Sequence, residues 1–510
     1  MRISSRRFMQ VGVLVFMTIA LALSAQAATY SKASLRGSYS FLTNLWTANA
    51  STSQFAMVGV LTFNGAGAVT GSYTSTDGGV VQTGTLGGTY TVNSNGTGTL
   101  TFTTGSTAQF AINLDSTAAK VAHGIELLQT NDSNNEIVSG TAVLQSTTAE
   151  TYSAASLKGS FSSLANLWMA NASATETGVI AMISFDGKGN FKGPQTGVFG
   201  NGVVQTNTVT GTYAVNPDGS GSLSTANGTQ WACALNTVAA GKAKGAQCLV
   251  TALNGHSLGD YTLTGIVLSA QATKFSNASL KGSYSFLTNL WTANTSTNEI
   301  AMVGILAFNG AGTVTGSYTS ITDGVVQTET LGGTYAVNSN GTGAITFTTG
   351  STAQFAITLS SIAAKVAHGV QLLQTNVSNN EIVSGTAVLQ STTAETYSVA
   401  SMKGNFADQL NMWTADVNQA LTGSVDLYSF DGKGNLKDSY AFMEDGVLHT
   451  GTRTGTYTVN PDGSGSLSTT DGFSVAFALN SVAAGQAKGL QLQVLSVSGN
   501  YVKTGTALKQ

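Results

Sequence analysis

The chain is poor in the residues that usually do chemistry. Its 510 residues include two cysteines, three prolines, four histidines and five tryptophans, and charged side chains make up 9%. So few cysteines exclude a disulfide-dense scaffold and a series of structural zinc sites. No HExxH or CxxC sequence is present, GxSxG occurs once, as Gly255-His256-Ser257-Leu258-Gly259 in copy 2 alone, and no carboxylate pair recurs in all of the repeats described below. The sequence therefore points to no catalytic residue, no metal and no cofactor. A net charge of −3 supplies no basic surface for nucleic acid. Beyond the amino terminus no apolar run approaches the roughly 18 residues of a membrane helix, so no transmembrane anchor is expected.

What is present begins with an export signal. Arg2, Arg6 and Arg7 precede an apolar run over 11–23, and Ala25-Gln26-Ala27 supplies the small-x-small pattern that signal peptidase accepts. Residues 1–27 read as a signal peptide, and the mature chain as a secreted protein, periplasmic or extracellular, starting near Ala28. No cysteine near that site marks a lipoprotein. Ser5-Arg6-Arg7 hints at a twin-arginine signal with Phe8 one place early, which leaves the choice between the Sec and twin-arginine routes open. The remainder is 42% hydrophobic, rich in Gly, Thr, Ser, Asn and Val, and alternates apolar with polar residues, so it can bury a core.

Internal repetition is the strongest signal. SLRGSYSF, SLKGSFSS, SLKGSYSF and SMKGNFAD place Gly37, Gly159, Gly282 and Gly404 at spacings of 122, 123 and 122. Four domains follow, over 28–148, 149–270, 271–393 and 394–510. Copies 1 and 3 are nearly one text at an offset of 245; copies 2 and 4 share another, with FDGKGN and NPDGSGSLST. A two-domain unit duplicated whole explains this alternation. Features common to both texts therefore report a shared physical demand.

Each copy reads as eight short strands, in copy 1 near 38–46, 54–63, 68–75, 80–92, 98–103, 108–114, 120–129 and 136–145. Phe110, Ile112 and Leu114 share one face against Gln109, Ala111 and Asn113. FNGAG, VNSNGTG and VNPDGSG carry the Asn-Gly and Asp-Gly steps of tight hairpins. Pro217 and Pro461 fall inside such turns, where a missing amide costs no ladder bond. Eight antiparallel strands with short turns predict an all-β chain of four tandem, eight-stranded, up-and-down barrels, which leave no exposed edge. A two-sheet β-sandwich is the rival. Ahead of strand one, each copy carries [Tyr/Phe]-Ser-x-Ala-Ser-[Leu/Met]-[Arg/Lys]-Gly, for example Tyr30 to Gly37. This predicts a short helical turn, stopped by glycine, whose Leu35 plugs the barrel's lower end.

A plugging turn followed by Gly-x-aromatic, Gly37-Ser38-Tyr39 in copy 1, resembles the opening of the calycin group, the lipocalins and avidins. That group usually has tryptophan where Tyr39 stands. TGSYTS at 70–75 and 315–320 is similar to the avidin strand whose Tyr and Ser touch biotin. Copies 2 and 4 depart from it and the later biotin-stacking tryptophans are missing, so biotin is not the expected ligand. The general texture also resembles secreted repeat proteins of soil bacteria.

Alternate connections of such a barrel share an end. FNGAG, VNSNGTG and the turn at 118–119 would lie beside the plug. The loops 47–53, 77–79, 105–107 and 131–135, richer in Ser, Thr and Asn, would form the other end. NLW recurs there with little change, giving ligand-binding candidates Trp46 with Asn44, Trp168 with Asn166, Trp291 with Asn289 and Trp413 with Asn411. A rim indole can stack on a sugar or an apolar ligand while asparagine bonds it; equally, the indole can seal the barrel or pack on the next domain. Parity matters: Tyr39, Phe41 and Leu45 share one face, so Trp46 is lumenal only if Tyr39 is outward or a bulge intervenes.

A basic group recurs at His123, Lys244, His368 and Lys488 near the start of strand seven. At the plugged end it is expected to cover the first-strand ring or to bond the plug's last carbonyls, as calycins use a basic residue. FDGKGN has a faint calcium-loop look, but its replacement by FNGAG in copies 1 and 3 favours a plain hairpin turn. Cys233 aligns with Ile112 and Cys248 with Leu127, equidistant from a turn between Ala240 and Gly241, so the two should face each other and form a disulfide. The functional expectation is a secreted tandem binding or adhesive module, for polysaccharide, another cell-envelope component or a small amphipathic ligand, with repetition raising avidity. The alternative is a structural cell-surface or matrix protein with no small-molecule site. An enzyme ranks behind both. A transmembrane barrel does too, because strands such as 98–103 are short against the roughly 9 to 11 residues of a spanning strand, and Lys509-Gln510 offers no closing aromatic. The oligomeric state stays open.

Overall fold

The computed structural model describes residues 30–46, 55–115, 117–118, 120–131, 137–169, 177–199, 202–253, 261–270, 274–292, 300–322, 325–363, 366–377, 381–393, 395–413, 422–444, 447–496 and 502–510. The signal peptide expected at 1–27 lies outside them. For Trp46, Trp168, Trp291 and Trp413 only the backbone is described.

Each repeat folds as its alternation predicts. In barrel 1 the strands run Arg36–Trp46, Phe55–Asn64, Ala68–Asp77, Val80–Val92, Thr97–Thr104, Gln109–Leu114, Gly124–Gln129 and Ile137–Ser146. The first pairs with both the second and the eighth, so the sheet closes. Barrels 2, 3 and 4, opening with Lys158–Met169, Lys281–Thr292 and Lys403–Trp413, close in the same order. Closure satisfies every ladder edge and excludes the sandwich. Strand seven starts later than the pattern suggests. Thr117–Ala118 and Val121–Ala122 form a two-residue ribbon, with Lys120 at φ 66° in its turn, and the barrel strand begins at Gly124.

The plug is a single 3-10 turn, Lys32–Ser34, followed by a fully buried Leu35. Gly37 leaves it at φ +106°, and a Cβ there would meet the Ser146 carbonyl oxygen at 2.3 Å, so only glycine fits. The turn's last carbonyls need donors. Tyr90 Oη donates to the Lys32 and Leu35 carbonyls at 3.0 and 2.9 Å, and Tyr213, Tyr335 and Tyr457 tether the other plugs in the same way. Above the plug, Tyr39, Phe63 and Tyr90 pack edge to face, a triad repeated as Phe161, Phe185 and Tyr213 in barrel 2.

Tyrosine hydroxyls make the plug contacts expected of the recurrent basic group. His123, Lys244, His368 and Lys488 are all exposed. Tyr39 Oη donates instead to the Ala122 carbonyl, and the tyrosine tethers take the plug carbonyls. Two positions earlier, Lys242 Nζ and Gln486 Nε2 donate to the Ala155 and Ala400 carbonyls. The asparagine turns match expectation: Asp186 Oδ1 accepts from the Lys188 and Asn190 amides, and Asn64 does the same at FNGAG. Cys233 and Cys248 face each other in the ladder, Cα atoms 4.1 Å apart, and are disulfide-bonded.

The four barrels close into a ring. Strands one and two of barrel 1 pack Leu42, Val58 and Val60 on Ala232, Ala234 and Leu249 from strands six and seven of barrel 2. The same faces join barrel 2 to barrel 3, through Ile180 and Met182 with Leu373 and Ile382, and barrel 3 to barrel 4, through Val303 and Ile305 with Ala476 and Ala478. Barrel 4 then returns to barrel 1, with Met412, Val425 and Met443 against Leu128 and Ile137. Where bulky residues oppose them, Gly178 and Gly423 have no room for a side chain: a Cβ would lie 2.5 Å from Leu373 and 2.6 Å from Ile137. A glutamine at the end of the last strand crosses each of three seams. Gln145 Nε2 donates to the Leu235 carbonyl, Gln390 to Leu479, and Gln510 to Leu114 of barrel 1. A head-to-tail contact reused four times and returning to its start gives cyclic pseudosymmetry, so all four plugs lie on one face of the ring and all four mouths on the other.

Candidate functional site

Strand one shows where the predicted asparagines sit. Tyr39, Phe41 and Leu45 belong to the buried interior of barrel 1, and pairing with strand two runs from Arg36 to Asn44 without a bulge. Alternation therefore turns Asn44 outward, away from a ligand in the mouth. The asparagines lie at seams. Asn411 Oδ1 accepts from Ser139 Oγ of barrel 1 at 2.7 Å, and Asn289 Oδ1 from Thr504 Oγ1 of barrel 4 at 3.1 Å. Asn44 Oδ1 and Asn166 Oδ1 are buried without a hydrogen-bond partner among the described residues. The indole side chains of Trp46, Trp168, Trp291 and Trp413 lie outside the description.

The mouth of barrel 1 does contain a cavity, of about 290 Å³. Phe41, Phe102 and Phe110 form its floor and walls with Leu61 and Leu127, and Phe55 and Met57 reach it from strand two. Thr43, Ser106, Gln129 and Asn131 supply polar groups towards the rim. Asn131 also fixes that rim, since its Oδ1 accepts from the Gln109 amide and its Nδ2 donates to the Thr107 carbonyl. The aligned positions of barrel 3 are identical except Ile300 for Phe55 and Ile345 for Leu100, and Asn376 repeats the clasp. In barrel 2 the space is reduced to about 60 Å³, with Trp231 in the place of Phe110 and the disulfide sulfur of Cys248 in the wall.

Barrel 4 fills the same space with charge, which sequence reasoning missed. Asp408 stands where barrel 1 has Phe41, Asp426 where it has Gly59, Asp438 at Gly71, Arg453 at Leu86 and Lys503 at Val138. Arg453 Nε lies 2.7 Å from Asp438 Oδ2, its other nitrogens 3.8 Å from Asp426 and 3.6 Å from Asp471, and its guanidinium stacks 3.8 Å over Phe473. Burial, then the nearby carboxylates Asp426 and Asp438, push the Asp408 carboxyl well above its usual range. Asp408 makes no ion pair among the described residues, whereas Asp426 and Asp438 share Arg453; burial raises all three carboxyls. Burial likewise lowers Lys503, against the pull of Asp426 and Asp408. Asp408 Oδ2, Asp426 Oδ1, Asp438 Oδ1 and Tyr428 Oη have no described hydrogen-bond partner. Charged side chains thus occupy positions that are apolar or glycine in barrel 1.

The two barrels meet at the ring-closing seam around Glu126, which is 5% exposed. Its equivalents elsewhere are Gln247, Gln371 and Gln491; Gln247 bonds Ser40 and Thr141 of barrel 1. Burial, then the charge of Asp115, raises the Glu126 carboxyl to about 8.

No family model and no curated protein matches this sequence. Among solved structures, transferrin binding protein B of Haemophilus parasuis is similar over 79% of this chain and 86% of its own, at 10% identity and a TM-score of 0.18. The isotype 1 protein of the same name from Neisseria meningitidis gives 80%, 85%, 9% and 0.19. A protein of unknown function from Nostoc punctiforme covers 46% of this chain with 98% of its own, at 15% identity and a TM-score of 0.17. Similarity this slight transfers neither family nor ligand.

Proposed function

We propose that the chain is a binding module whose first barrel takes a small amphipathic ligand, apolar end inward, through its unplugged mouth. The observation that carries this reading is the phenylalanine-walled cavity of about 290 Å³ beneath a polar, hydrogen-bonded rim. Ligand pockets usually span about 300 to 1,000 Å³, so this one suits a short acyl chain or a single ring system. Thr43→Trp fills the space. Titration of the full chain with anilinonaphthalene sulfonate should show saturable binding that weakens at least about tenfold in Thr43→Trp, with unchanged far-UV circular dichroism. Equal affinity in the two proteins sinks the reading. Trp46→Ala separates a rim role from a core role: weakened binding in a stable protein marks the rim, a stability loss of about 3 to 5 kcal/mol the core.

Polysaccharide binding is a second reading, supported by the hydroxyl-lined grooves outside two seams. One, of about 600 Å³, lies among Ser72, Thr74, Thr83, Asn216 and Asp218; its counterpart, of about 290 Å³, among Ser317, Thr319, Thr328, Asn460 and Ser464. Retention on insoluble polysaccharide tests it, and a purely structural protein would pass through. Secretion is supported by the Cys233–Cys248 bond, which persists in oxidising compartments.

A further inference from the structure

Nine large apolar side chains stand out as exposed among the described residues, and eight of them form four pairs at one place in the repeat. They are Val80-Val81, Val203-Val204, Val325-Val326 and Val447-Leu448, between 40% and 59% exposed. Each pair stands at the start of strand four, Val203 just ahead of it, beyond the mouth end of its barrel. In barrel 1, Val80 pairs with Asp77 and Val81 with Thr76, so the hairpin continues as a ribbon past the mouth. The local text is Gly-Val-Val-Gln-Thr in copies 1, 2 and 3 and Gly-Val-Leu-His-Thr in copy 4. It thus survives across the two dialects where FNGAG and FDGKGN diverged. Strand propensity does not explain it, because threonine meets that need and this chain uses threonine on exposed strands throughout. Isolated exposed aliphatics are ordinary; the same pair at four equivalent tips is not.

The ring puts the four tips on its mouth face. We infer that this face docks on a lipid surface, with the four aliphatic tips entering the outer part of the bilayer together. The eight side chains expose on the order of 600 Å² in four separate patches, less than the roughly 800 Å² per partner of a standard protein interface. A second copy or a rigid partner would have to match all four patches at once, whereas a deformable apolar layer receives them without matching. The tips carry no Lys or Arg, and in sequence Asp77, Asp323 and the pair Glu444-Asp445 stand beside three of them. Attraction to anionic headgroups, worth about 1 kcal/mol per basic residue in polybasic segments, is therefore missing, and the docking is apolar. Lipid docking does not depend on the barrel 1 cavity.

Flotation of the full chain with neutral phosphatidylcholine vesicles tests the inference. The expected result is recovery with the vesicles at low and high salt alike, with no gain on adding phosphatidylserine. Serine at all eight positions should lower the bound fraction at least about tenfold, and serine at the barrel 1 pair alone by a smaller factor, as expected for multivalent attachment. Circular dichroism and a monomeric elution volume keep misfolding apart from loss of docking. The inference is overturned if the native chain stays in the vesicle-free fraction, if the eight-serine variant floats equally well, or if the native chain proves to be a dimer that the serines dissociate. Thr43→Trp should float unchanged, so a failure of the cavity reading is separately visible.

Discussion

Barrels 1 and 4 share a backbone plan, a plug and an aromatic triad, yet one interior is an apolar chamber and the other a buried ionic cluster. Five of the positions that differ carry the charge. Phe41, Gly59, Gly71, Leu86 and Val138 become Asp408, Asp426, Asp438, Arg453 and Lys503. Closed pairing satisfies the backbone in both, so the barrel does not require its upper interior to be apolar; it requires that whatever fills it be mutually compensated. The lower half, where rings meet the plug, allows no such freedom. Ligand capacity can thus vary between copies while the fold stays constant.

The largest expected effect comes from breaking the compensation. Arg453→Leu leaves Asp438 buried without its cation, and Asp426 with Lys503 alone, and should cost about 3 to 5 kcal/mol in barrel 4, read by calorimetry and amide exchange. Converting all five positions to the barrel 1 residues, with Asp408→Phe, Asp426→Gly, Asp438→Gly and Lys503→Val added, should restore most of it and open an apolar chamber. If the fivefold variant is no more stable than the single one, the interiors are not interchangeable.

Disruption of the Cys233–Cys248 rung, which replaces Ile112 with Leu127 in barrel 1 and Phe477 with Leu492 in barrel 4, should cost about 3 kcal/mol by loop-closure entropy in Cys233→Ala/Cys248→Ala. Denaturation of barrel 2 with and without reductant checks it.

At the seam between the compared barrels the effect depends on pH. Glu126 ionises near 4.5 when unfolded and near 8 in the fold, so the folded chain holds a proton that the unfolded chain releases. Stability then falls as pH rises from about 4.5 to about 8, and by pH 7 the loss is on the order of 3 kcal/mol. Glu126→Gln, which installs the residue of the other three seams, should remove that slope: equal stability near pH 4, greater stability at pH 7 and above.

The smallest effect should be the same in both barrels. Tyr90→Phe and Tyr457→Phe each remove a hydroxyl that bonds two plug carbonyls, and should cost roughly 1 to 2 kcal/mol. Unequal losses, measured by denaturant melts, would show that the plugged ends are not equivalent.

Much of this molecule is local and was therefore legible. Alternation such as Phe110, Ile112 and Leu114, turns such as FNGAG, and the repeat of about 122 residues determine strands, hairpins, barrels and their number, because strand periodicity and turn geometry depend on near neighbours. The cysteine pair was legible too, since a hairpin's register follows from its turn. What needed the tertiary structure joins residues far apart in the chain. Asp408, Asp426, Asp438 and Arg453 sit on four consecutive strands and look like scattered exposed charges until the register of the sheet sets them side by side on its inner face. Asn44 looked like a rim residue because its loop is polar, and only the unbroken register turned it towards a seam. The ring itself, with Gln510 reaching Leu114 across almost four hundred residues, rests on small residues such as Ala234 and Gly423 whose role is to leave room, and an absent side chain becomes a signal only when its opposing neighbour is known.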